Sequence, residues 1–118
     1  MMELAERGII NASKKTLHKG INVATVLEGT KELYDWAHDN PSVQLFPVEY
    51  VNDPGIIAKN DKLVSINSCI EVDLFGQVAA ESFGYKQATG AGGQVDFVRG
   101  ATMSKDGKSI IVINSTAA

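Results

Sequence analysis

Glu71 and Asp73 stand two apart in a run of alternating residues, with Cys69 and Asn67 beside them. On a strand, residues two apart point to one face. Two carboxylates there would be placed for acid/base work. The same spacing also describes the polar face of a half-buried strand, and the alternation favours that plainer reading. Cys69 would be a nucleophile only beside a histidine. His18 stands in the turn-like "LHKG" and His38 at a helix end, and neither has a recognisable partner. The two histidines are far apart and show no ligand spacing, so no metal site is expected.

The glycine-rich segment "GAGGQVDFVRGA", residues 90–101, is more informative. Gly90, Gly92 and Gly93 precede what reads as a helix. Glycine has no Cβ, so its backbone can approach a ligand closely. The exposed N–H groups of a helix start can hold an anion or a developing oxyanion. An ordinary glycine turn into a helix is an equally good reading. The spacing is neither that of a P-loop nor that of a dinucleotide fingerprint.

These residues need elements to hold them. Met1, Leu4 and Ala5 share helical spacing up to Gly8, as in the tail of a helix. The β-branched run over 21–29 predicts a strand. Thr30 then caps a helix over 31–40, ended by Asn40-Pro41. Residues 43–50 read as extended, with Pro47 forcing an edge or a bend. Asn52-Asp53-Pro54 starts a short helix through Ala58. The clearest strand signal is 62–75, where Val64, Ile66, Ile70, Val72 and Leu74 alternate with polar residues. Gly76 allows a turn, and "QVAAES" returns as a partner strand. Asp106-Gly107 turns into "KSIIVIN", an unbroken apolar strand of the kind covered on both faces. Strands and helices interleave, so the expected fold is α/β, with a mixed, mainly parallel sheet and flanking helices.

Bulk composition narrows the function classes. A net charge of −3 gives no broad basic field, so nucleic acid is not an expected partner. One cysteine allows neither an internal disulfide nor a cysteine metal cluster, which fits a reducing, cytoplasmic setting. No apolar run approaches the ~18–20 residues of a membrane span. The acidic start "MMELAERGII" is unlike a signal peptide.

Four strings in order carry a resemblance: "GTKELYDW", "NPSVQLFPVEYVNDP", "IAKNDKLVSINSCIEVDLFGQVAAES" and "GAGGQVDFVRGATMSKDGKSIIVINSTA". Together they resemble the C-terminal domain of the acetyl-CoA hydrolase/4-hydroxybutyrate CoA-transferase family. The likeness runs over residues 1–118, which are therefore expected to be part of such a domain. The resemblance implies transfer of coenzyme A between an acyl-CoA and a small carboxylic acid. It implies a glutamate nucleophile, passing through a mixed anhydride and a glutamyl-CoA thioester. Water intercepting the intermediate would make the reaction a hydrolysis. Coenzyme A is then substrate, and no permanently bound cofactor is expected.

The resemblance also distributes roles. The family's nucleophile lies in a "His-Thr-Glu" or "His-Ser-Glu" segment, expected immediately before "MMELAERGIIN", so the chain alone is expected to be inactive. Glu3, Glu6 and Glu71 lack that context. Gly93 resembles the glycine whose backbone N–H helps form the oxyanion hole beside the thioester, with Gly92 and Gln94 as neighbours. Asn52 resembles the family asparagine near bound coenzyme A, where an amide can both donate and accept. From its own context Asn52 also reads as a helix cap. Asp96 and Arg99 read as bracing for the loop. Both ends of the chain read as cut. The rest of the enzyme, or a second chain, is the expected partner, and self-association into a homo-oligomer is a further expectation.

Overall fold

Glycines and prolines punctuate the chain, and short elements fill the spaces between them. The computed structural model describes residues 1–116. Helix α1 (Met2–Glu6) ends where Gly8 takes a φ of +70°, a left-handed conformation that suits glycine. Strand β1 (Asn22–Ala24), helix α2 (Lys31–Ala37) and strand β2 (Val43–Leu45) follow. Two one-turn helices, α3 (Val48–Val51) and α4 (Pro54–Ile57), lead into β3 (Val64–Ser68). Two small hairpins come next, β4 (Glu71–Val72) with β5 (Val78–Ala79), and β6 (Ser82–Phe83) with β7 (Lys86–Gln87). Helix α5 (Gln94–Met103) and strand β8 (Lys108–Val112) complete the described fold.

The sheet pairing is mixed, as expected. Strands β1 and β2 are parallel, and so are β3 and β8, with Val64 opposite Lys108 and Ser68 opposite Val112. The two hairpins are antiparallel. Each parallel pair is joined by a crossover that contains a helix, as parallel strands require. The result is α/β and forms part of a larger domain pattern, with four two-stranded sheets among the described residues.

Several expected boundaries shift, each for a local reason. The strand over 21–29 shrinks to β1. Helix α2 stops at Ala37, before Asn40, because Asp39 turns left-handed and the Asn40 amide donates to the Trp36 carbonyl at 3.1 Å. Residues 48–51 are helical, not extended: Pro47 supplies the fixed φ that opens α3. The long alternating run breaks at Cys69-Ile70 into β3 and β4. Sequence reading missed the β6–β7 hairpin, whose turn rests on Gly84 at φ +51°. Ala117 and Ala118, the end of the "STAA" segment, lie outside the described residues.

The core is small and sits between α4, α5 and the β3–β8 pair. Ile57 and Ala101 are its buried apolar residues, and Ser65 and Ser104 are buried with them. A Cβ on Gly100 would collide with the Ile57 side chain, so α4 and α5 meet in direct contact. Ser104 ties the corner. Its hydroxyl donates to the Asn60 carbonyl at 2.6 Å and accepts from the Leu63 N–H at 3.3 Å.

The apolar run "SIIVIN", a pattern suited to cover on both faces, is left open here. Strand β8 pairs with β3 alone among the described residues, and Ile110, Val112 and Ile113 stay exposed. The accessible surface is 8748 Å². A self-contained folded protein of 12.6 kDa has about 6,200 Å². The radius of gyration is 15.9 Å, against about 13–14 Å for a compact domain of this length.

Candidate functional site

Asn52 lies at the joint between α3 and α4, and two prolines make that joint. Pro47 opens α3 and Pro54 opens α4, leaving Asn52 and Asp53 as the hinge pair. Asp53, not Asn52, is the side-chain cap of α4: its Oδ1 accepts from the Ile56 N–H at 2.8 Å. Asn52 closes α3 with its backbone N–H, which donates to the Val48 carbonyl at 2.8 Å. Its side chain is therefore left for other work.

That side chain turns toward the start of α5. Gly93 is the N-cap of α5, and a Cβ built there would lie 2.5 Å from Asn52 Nδ2 and 3.5 Å from Phe97 Cε2. Gly93 has an ordinary φ of −82°. Glycine is thus required at this position for space and not for backbone conformation. Gly90 and Gly92 have open space where their Cβ atoms would stand. Gly92 is exposed, and Gln94, the first helical residue, is half-buried. No side chain caps α5. Its first N–H groups have no partner inside the helix, as at any helix start.

Asp96 is the third member of the cluster. Asn52 Nδ2 donates to Asp96 Oδ2 at 3.5 Å. Asp96 sits in the first turn of α5, where a carboxylate also suits the helix dipole. Its spacing of three from Gly93 brings both onto one face. That spacing was the available signal for Asp96, which sequence reading assigned to bracing the loop. Arg99 is exposed, outside the cluster.

The carboxylate pair does not form. Glu71 accepts from the Gly84 N–H through both oxygens at 3.1 Å, locking one hairpin to the other. Asp73 closes the β4–β5 turn, accepting from Phe75 N–H and Gln77 N–H at 2.8 Å each. Both carboxylates are thus structural. The histidines are also committed elsewhere. His18 Nε2 lies 2.8 Å from the Tyr50 hydroxyl, its ring 5.1 Å from Phe46, and His38 faces Asp39. Neither meets Cys69. Among the described residues no cluster of three or more His, Cys, Asp or Glu is placed to hold a metal ion.

A cleft of about 900 Å³ runs beside this cluster and shares its flank through Val51 and Phe97. Its other walls come from the loop before β1 and the segment before β3. Lys15 lies on that wall with its amine donating to the Ile21 carbonyl at 3.0 Å, and burial lowers its pKa from the ordinary 10.5. The cleft is the larger space, but the convergent polar groups are at Gly93.

The sequence model of the acetyl-CoA hydrolase/transferase C-terminal domain matches residues 29–118. The chain belongs to this family. It is 60% identical over 117 residues to a 4-hydroxybutyrate coenzyme A transferase from Clostridium kluyveri, covering 99% of this chain and 27% of that protein. It is 50% identical to a succinyl-CoA:cyclohexane-1-carboxylate CoA transferase from Geobacter metallireducens, with coverage of 99% and 27%. The crystal structure of RipA from Yersinia pestis superposes with a TM-score of 0.89 at 46% identity, covering 98% of this chain and 26% of RipA. The acetyl-CoA hydrolase/transferase chain described here thus spans about a quarter of the length of these relatives. No helix among its described residues is long and apolar enough to cross a membrane.

Proposed function

We propose that residues 1–118 are part of the C-terminal domain of a CoA transferase that moves coenzyme A between an acyl-CoA and a small carboxylic acid. The observation that carries this reading is that Asn52 Nδ2 occupies the space a side chain at Gly93 would need, at the start of α5, in a chain of this family. A thioester carbonyl under attack develops negative charge on oxygen. Backbone N–H groups of a helix start and an amide N–H are the donors that such an oxyanion needs. Gly93 supplies the backbone donor, Asn52 the amide, and Gly92 and Gln94 shape the approach for coenzyme A.

The reaction balances as a chain of acyl exchanges. A glutamate carboxylate attacks the acyl-CoA carbonyl, and coenzyme A leaves as thiolate. The thiolate attacks the glutamyl carbonyl of the mixed anhydride, releasing the first carboxylic acid and leaving a glutamyl-CoA thioester. The incoming carboxylate repeats these steps in reverse order. Covalent storage of coenzyme A splits one hard exchange into easier ones. Water in place of the incoming acid gives hydrolysis. Asp96 is the carboxylate beside Asn52, and its bond to that amide marks it as an anchor, not a nucleophile. The nucleophile is supplied by other parts of the protein, and the 118 residues alone are inactive. The setting is cytoplasmic.

The exposed apolar surface supports a second reading, in which this segment assembles with another chain and binds without catalysing. Mass spectrometry of the whole enzyme quenched after mixing with acyl-CoA separates the two. A coenzyme A adduct on a glutamate is expected in the whole enzyme and not in the 118-residue chain. An enzyme that transfers coenzyme A with no such adduct would overturn the covalent mechanism.

A further inference from the structure

We infer that Asp96 is a positioning residue, one that fixes which end of the Asn52 amide faces the reacting thioester. The inference deepens the proposed function and rests on its reading of Asn52 and Gly93.

An asparagine side chain has two nearly isosteric ends, a carbonyl that accepts and an NH2 that donates two hydrogens. Turned one way, Asn52 would offer a donor beside Gly93. Turned the other way, it would offer an oxygen, which repels a developing oxyanion. The choice matters only if something enforces it. The backbone of α3 does not, because it leaves the side chain unbonded. Asp53 does not, because its Oδ1 is engaged by the Ile56 N–H at 2.8 Å. Asp96 does. An ionised carboxylate only accepts, so it tolerates the Asn52 NH2 and rejects the carbonyl. The structure places Asn52 Nδ2 3.5 Å from Asp96 Oδ2 and against Gly93. One amide hydrogen is directed to Asp96, which leaves the second for a ligand. A separation of 3.5 Å is long for such a bond, and catalytic hydrogen bonds that are long in a free enzyme often tighten in the substrate complex. Gly93 makes the arrangement sterically possible and Asp96 gives it direction.

The test uses the whole transferase and separates kcat from KM. Asp96→Ala removes the anchor and is expected to lower kcat about 10- to 100-fold while the KM for acyl-CoA stays within about threefold, as for a group acting mainly in the transition state. Asp96→Asn keeps the shape but accepts either end of Asn52, so kcat falls less, about three- to tenfold, with the melting temperature unchanged. Because it is isosteric, this variant carries the test if Asp96→Ala fails to fold. The double variant Asn52→Ala/Asp96→Ala is expected to be no slower than Asn52→Ala alone, since Asp96 acts through Asn52. Wild-type kcat in Asp96→Asn, or losses that multiply in the double variant, would overturn the inference and leave the role of Asn52 standing. Wild-type kcat in Asn52→Ala would remove Asn52 from the mechanism and Asp96 with it.

Discussion

Gly93 and Gly92 are adjacent in sequence, of one residue type, and unlike in what surrounds them. A methyl group at Gly93 would lie 2.5 Å from Asn52 Nδ2, and one at Gly92 would meet nothing within 4 Å. In the whole enzyme, Gly93→Ala is therefore expected to displace Asn52 and lower kcat by about 10²-fold, the scale for loss of an oxyanion donor. Gly92→Ala is expected to lose less, by at least about tenfold. Steady-state transfer kinetics on both variants check this, and equal losses would contradict it. The residue scale is also where sequence reading did least by itself. The glycine run was visible, but nothing in its spacing said that Gly93 alone needed the space. That fact depends on Asn52, a distant residue singled out only by family resemblance. For Glu71 and Asp73 the plainer reading, favoured from the alternation, is the one the structure bears out. Their two-residue spacing suits a catalytic face, but Gly76 and Gly84 make turns that need carboxylate acceptors.

The elements were legible where periodicity is long and punctuation strong. Helix α5 and strand β8 fall where the glycine run and Asp106-Gly107 place them. Short pieces were not legible, because α3 and β6–β7 have too few residues to show a period. They are fixed by Pro47 and Gly84 and by their neighbours. The corner between α5 and β8 is closely packed. A Cβ at Gly107 would run into the Ala101 carbonyl, which is backbone and cannot swing aside, whereas one at Gly100 would meet the Ile57 side chain. Gly107→Ala is therefore expected to destabilise more than Gly100→Ala, which itself should cost about 1–3 kcal/mol from overpacking. Urea unfolding of the protein carrying each change ranks them. The reverse order would mean that the corner relaxes more easily than its contacts imply.

At the scale of the whole molecule, much of the apolar surface of the described residues lies uncovered. Among the described residues no large side chain is wholly buried, and Leu74, Phe75 and Tyr85 at the hairpin tips are 91% or more exposed. Each large apolar side chain left in water forgoes about 1.5–3 kcal/mol, against a total of about 5–15 kcal/mol for a typical domain. The isolated 118 residues are expected to self-associate or to be loosely folded. Sedimentation and thermal unfolding across a range of concentrations will tell. A monodisperse monomer with one sharp, concentration-independent transition would contradict the expectation. The apolar run of β8 was legible as a strand made for covering, but what covers it was not, because a cover is a property of neighbours.

The bond between Asn52 and Asp96 joins residues 44 positions apart. Both hairpins hang inside the loop it closes. Closing a flexible loop of that length costs about 3 kcal/mol of chain entropy beyond the fixed cost of contact. Contacts of such wide separation are characteristic of slow folding steps. The short turns on either side can form before the loop shuts, but the paired donors at Gly93 cannot exist until it has. The site therefore takes its shape only once this loop has closed, as do the β3–β8 pairing and the Ser104–Asn60 bond, which span the same separation. In hydrogen exchange its amides should open together with the α4–α5 seam, as one cooperative unit.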